Sequence, residues 1–292
     1  EASPRLQPHF VDFDELIQSL KLSNGLVFDY VRNQDNDLFR LDFIFEMGKS
    51  SDLLMGLAFQ YLPYLGTSRY TASDLQKEFF RLGLAFDVFS QEQRTYISLN
   101  GLETSLEEGL QLVAHILSDV KADEQALKNV VADILTKREN HKRDRNVVLR
   151  DALASYARYG ADSPFTYRLP EATLKAVSPD TLVDIIRSLI TFEHNVYYYG
   201  SRPAQDVASL VERYHHAPAV RRQTPANRSF PQLPTDASKV YFLDFPIVQT
   251  DVMLLSRGTP FFNLEEHLMR ELYNEYFGYG LSSIVFQQIR ES

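Results

Sequence analysis

Leu41, Phe43 and Phe45 alternate with Arg40, Asp42 and Glu46 in FRLDFIFEMG, a period of two that predicts a half-buried strand. LAFDVFSQEQRTYISLNGL, residues 84–102, repeats the signal twice, and its polar break from Ser90 to Arg94 predicts a hairpin. Between these strands the pattern predicts helices over Asp52–Leu65 and Thr71–Leu82, the second opened by capping candidates Thr71 and Ser73. After residue 102 the period turns helical. Leu106, Leu110, Val113 and Leu117 form one stripe, and Leu127, Val130, Val131 and Ile134 form the next. Lys137 and Arg138, near the end of the second stripe, suit the negative end of a helix dipole. Helical stretches over Val147–Tyr159 and Pro179–Ile190 lead to the apolar strand HNVYYYG and a closing helix, AQDVASLVERYHH. This order predicts an α+β domain, an antiparallel-rich sheet covered by helices on one face.

Residues 217–238 break the pattern: they hold four prolines and no period, the composition of a linker. Beyond it KVYFLDFPIVQTDVMLLSRGT reads as strands and NLEEHLMRELYNEYFG as an amphipathic helix. Both parts run from a strand to a glycine (Gly48, Gly258) and into a helix ending in glycine (Gly66, Gly278), which suggests an internal repeat whose second copy is partial. The expected organisation is a domain over 1–216, a linker over 217–238 and the truncated start of a related domain over 239–292.

Composition narrows the partners. The 292 residues are 44% hydrophobic with a formal net charge of −9, which disfavours nucleic acid and anionic surfaces. No apolar run approaches the ~18 residues that a membrane helix needs. Without cysteine there is no disulfide, thiolate nucleophile or thiolate metal site. The histidines at 9, 115, 141, 194, 215, 216 and 267 show neither an H-x-x-x-H nor an H-x-x-E-H spacing. His115, opposite its helix stripe, is expected in solvent. His215 and His216 are expected as cations at a helix end. Glu265, Glu266 and His267 are adjacent on a helix and point apart. No nucleophile elbow, P-loop or dinucleotide fingerprint is present.

FRLDFIFEMGKSSDLLMGLAFQYLPYLGTSRYTASDLQKEFFRLG resembles the insulinase/pitrilysin (M16) family of zinc peptidases, whose units run strand, glycine, helix, Gly-Thr and a second helix. The hairpin, GLETSLEEGLQLVAHILSD, NVYYYGSRPAQDVASLVERY and GYGLSSIVFQQIRES continue the likeness over nearly the whole chain. The resemblance implies a LuxS/insulinase-type metallopeptidase fold. In a catalytic unit the first helix carries H-x-x-E-H, and alignment of the Gly-Thr turns puts Leu57, Gln60 and Tyr61 at the His, Glu and His. A further Glu belongs on a later helix, where this chain has Leu127, Lys128, Asn129 and Val130 with only Asp133 acidic nearby. No catalytic residue and no metal ligand is therefore expected, and zinc is expected only in another half of a parent protein.

The resemblance is closest to the non-catalytic second half of long single-chain bacterial members. It implies a chain that encloses and positions peptide substrate together with a catalytic half, with an exported or periplasmic setting. Arg290 matches an Arg that contacts substrate in the family's final domain. Self-association through the truncated C-terminal piece is a further expectation. A metal-less partner subunit of a two-subunit peptidase and a stand-alone binding or scaffold protein are the alternatives.

Overall fold

The computed structural model describes residues 11–246, 251–258 and 261–290, with 289 and 290 described by backbone alone. After a short helix α1 (Phe13–Leu16), strands β1 (Gln18–Lys21), β2 (Val27–Arg32) and β3 (Leu38–Phe45) lead into helices α2 (Leu53–Tyr61) and α3 (Ala72–Arg81). The hairpin β4 (Leu84–Ser90) and β5 (Thr95–Leu102) precedes α4 (Leu106–Asp119) and α5 (Glu124–His141). A π-helical stretch, Val147–Leu153, runs into α6 (Ala154–Tyr159), followed by α7 (Glu171–Ala176) and α8 (Pro179–Ser188). Strand β6 (Asn195–Gly200) and α9 (Ala204–Tyr214) complete the first part, and α10 (Leu264–Phe277) lies in the second.

The six strands form one sheet in the order β1-β2-β6-β3-β5-β4, antiparallel except for β2 against β6. Alternation sorts its side chains into two faces. Phe28, Tyr30, Phe39, Leu41, Phe43, Phe45, Ile97, Leu99, Val196 and Tyr198 are buried on one face, which joins α2, α3, α4, α8 and α9 in a single core. The fold is the expected α+β sheet covered by helices. Caps set the helix starts: Asp52, Thr71, Asp123 and Ser178 each accept a backbone N–H of the first turn.

The chain divides at Pro231 and Gln232 into two units, inside the stretch read as a linker. The strands expected over 239–259 are not formed among the described residues there, while 247–250 and 259 lie outside them. Among the described residues beyond 231, Ser283 alone is buried, so no apolar face holds those segments in register. The amphipathic helix expected there is α10, capped by the Asn263 side chain on Glu266 N–H.

Candidate functional site

Helix α2 decides what chemistry the first unit can perform. Met55 through Phe59 and Tyr61 are all buried, so both the inward and the lateral faces of this helix are core. Leu57 is only 3% exposed and offers hydrocarbon. Gln60 turns to solvent. The Tyr61 hydroxyl donates to the Asp123 carbonyl and accepts the Asp123 N–H, both at 2.6 Å, and so clasps the turn that caps α5. Burial raises its pKa and keeps it a neutral phenol.

Across from it, Leu127 and Val130 of α5 are buried. Lys128 pairs with Glu124 at 2.7 Å, Asn129 accepts from Gln125, and Asp133 pairs with Lys137 at 2.7 Å along the exposed side. These residues do not fit a zinc ion, because hydrocarbon, an exposed amide and an engaged phenol supply no ligand set. No group of three or more His, Asp or Glu that could hold a metal occurs among the described residues.

The turn after α2 is tied down from outside. Gly66 is required there, since a Cβ would lie 2.6 Å from the Tyr70 carbonyl. Thr67 Oγ1 accepts the Arg69 and Tyr70 N–H groups and meets His115 Nε2 at 2.9 Å. His115 is thus half-buried against Tyr70 rather than in solvent, because the folded-back turn covers that side of α4. Asp119 accepts the Ser68 N–H and hydroxyl and pairs with Lys121, contacts that hold its carboxyl well below the usual range.

His215 is also not the helix-end cation expected. It is 6% exposed, and its Nε2 lies 2.7 Å from Nε2 of His194, with Phe43 stacked on the one ring and Phe45 on the other. Desolvation pushes His194 down to about 4 and His215 well below its ordinary value. Only His216 of that dipeptide is exposed. The His-His doublet at a helix end, followed by Ala-Pro, gives no sign of this pairing, which the return of β6 beside α9 creates.

The other face of the sheet is partly exposed, with Asp42 and Ser98 buried at its centre. Register places Ile44, Tyr96 and Phe89 in one row, Tyr197, Asp42, Ser98 and Asp87 in the next, and Tyr199, Arg40 and Asn100 in a third. Phe89 and Tyr96 stack at 4.9 Å. Arg40 donates to Asp42 at 2.6 Å, and Ser98 donates to the other oxygen of the same carboxylate at 2.5 Å. This surface combines rings, hydroxyls and a carboxylate already engaged by Arg40 and Ser98. The side chain of Arg290 lies outside the described residues.

Comparison with known proteins agrees with this picture. No family model matches the chain. It is 22% identical over 243 residues to an uncharacterized zinc protease of Rickettsia felis, a match covering 80% of this chain and 55% of that protein. The chain therefore spans about half the length of that relative. The peptidase M16 inactive domain from Pseudomonas fluorescens superposes with a TM-score of 0.68 at 14% identity, over 94% of this chain and 68% of that one. A mutant of the ferredoxin protease FusC, in complex with Arabidopsis ferredoxin, gives 0.64 at 17% identity, over 76% of this chain and 25% of that one. The fold is that of the M16 peptidase domains, inactive ones included, and the sequence is similar to that of a zinc protease. On α2 this chain has Leu57, Gln60 and Tyr61, none of which offers a zinc ligand set. Among the described residues no helix is long and apolar enough to cross a membrane.

Proposed function

We propose that the chain is the non-catalytic half of a zinc-dependent endopeptidase of the insulinase type and forms part of the chamber that encloses and positions its peptide substrate. The observation that carries this reading is α2, where Leu57 is buried, Gln60 exposed and Tyr61 engaged, the three residues that alignment of the Gly-Thr turns sets against the His, Glu and His of a zinc-binding helix. Such a half contributes shape and contact area, and the open sheet face around Tyr96, Tyr197 and Tyr199 supplies both to an extended chain. A protease of the same fold in complex with a protein adds support. Zinc belongs to the catalytic half, in the same polypeptide or in a partner subunit.

The purified chain is expected to hold less than about 0.1 zinc per molecule and to leave a quenched fluorescent peptide library intact, since its α2 face offers no ligand set. Elemental analysis and the cleavage assay check this, and stoichiometric tightly held zinc would overturn it. Arg290 is the one residue to which the proposal gives a charged contact with substrate. A guanidinium there presents a fork of donors to peptide carbonyls and stays charged at any working pH. In the full-length parent, Arg290→Ala is expected to lower peptide turnover by about tenfold or more with zinc content and melting temperature unchanged, as loss of a charge-assisted contact to substrate would do. Equal turnover would remove the assignment.

A further inference from the structure

Residues 221–230 belong to a stretch whose composition marks a linker, yet they are anchored to five separate parts of the first unit. Arg221 donates to the Asn24 carbonyl at 2.8 Å, on the turn between β1 and β2. The Arg222 N–H donates to Thr191 at 2.8 Å and its carbonyl accepts from Glu193 at 2.9 Å, a parallel bridge around Phe192. Its guanidinium lies 4.0 Å above the Phe192 ring. Asn227 Oδ1 accepts the Ser51 hydroxyl at 2.6 Å and lies 2.9 Å from the Ser50 hydroxyl, which the Glu92 carbonyl shares, and its amide donates to Gln93 in the β4–β5 loop. The Arg228 N–H donates to the Ser50 carbonyl at 2.9 Å. Its guanidinium bonds both Asp162 oxygens, at 2.9 and 2.8 Å, and sits over Tyr167 and Phe230.

We infer that residues 221–230 are a strap integral to the first unit, so that the flexible connection to whatever follows begins at Pro231 and not at Ala217. The inference does not depend on the proposed peptidase role. Its strength lies in where the anchors fall rather than in the ion pair, because Arg228 and Asp162 are both exposed and such a pair alone contributes little. Ser50 is buried, and the strap uses both its hydroxyl and its carbonyl. Two backbone N–H groups of the strap, Arg222 and Arg228, are bonded to carbonyls of the body, which is the feature that resists local opening. Proline-rich composition and order are compatible here, since proline removes donors the strap does not use and lowers the entropy lost on fixing it. The strap also bonds Ser50 and Ser51 of the turn that opens α2.

Limited proteolysis and hydrogen exchange on the full chain test the strap. In the wild type, first cuts are expected C-terminal to Pro231, with the Arg222 and Arg228 amides exchanging at least about tenfold more slowly than amides over 232–246. Asn227→Ala/Arg228→Ala is expected to move early cleavage into 221–230 while the cooperative melt of the remaining unit persists. Wild-type cleavage within 221–230 as fast as within 232–246 would overturn the inference, and so would an unchanged cleavage map in the double variant. The wild-type arm decides the matter even if the double variant does not fold.

Discussion

His194 and His215 show how two side chains acquire a property that neither has alone. His194 Nδ1 lies 2.7 Å from the Phe192 carbonyl, so it carries the proton, and its bare Nε2 accepts from His215 Nε2–H. The groups facing the pair from neighbouring elements are Arg221 and His216, both of which oppose a further positive charge. The folded pKa values lie below those of the unfolded chain, so the unfolded chain takes up protons first as the pH falls. Stability is therefore complete above about pH 6.5 and declines from there toward about pH 4, with a slope of at most about 1.4 kcal/mol per pH unit for each histidine. Urea midpoints are expected to fall between pH 7.5 and 5. His194→Phe/His215→Leu is expected to flatten that interval, and identical wild-type midpoints at the two pH values would refute the assignment. What could be read at Leu57 and Tyr61 was an absence of ligands, because residue identity alone excludes them. The partner of the Tyr61 hydroxyl could not be read, since Asp123 stands 62 positions away.

At the scale of elements, the strands that were legible are β3, β4 and β5, which alternate apolar and polar positions, and β6, read from its apolar run. The first hairpin escaped the alternation test for a physical reason. β1 is an edge strand with little buried side chain, and β2 buries Val31 beside Tyr30, which blurs its period. Its clearer mark is the turn, where Asn24 precedes Gly25 at φ 82°. Helix α7 was equally hard to find, since only Leu174 of its six residues is buried. Helices α2, α3, α4, α5, α8 and α9 were visible because each carries a stripe or a cap that its neighbours use. The strands expected after residue 238 rested on apolar content alone, without a partner strand to pair with.

At the scale of the molecule, the sheet and its helices make one core with the strap bonded to its surface, and the described part beyond 231 has almost none. Phe242, Leu254 and Leu272 are 84%, 92% and 65% exposed, and a 61-residue segment is marginal even when its core is complete. A fragment over 11–231 is expected to melt within a few degrees of the full chain. The piece over 232–292 alone should show no cooperative transition by circular dichroism. Sedimentation of the full chain should show association that vanishes when 232–292 is removed. A folded, monomeric 232–292 fragment would contradict this. The Tyr61 clasp bears on descent. A lineage that acquired His, Glu and His on α2 would have to place two imidazoles where Leu57 and Tyr61 now fill the core, and would strip two backbone groups of Asp123 of their partner, a loss of about 1–3 kcal/mol for each group left unsatisfied. The steps at Leu57 and Tyr61 each cost stability before any metal is bound, and only the exposed Gln60 can change freely.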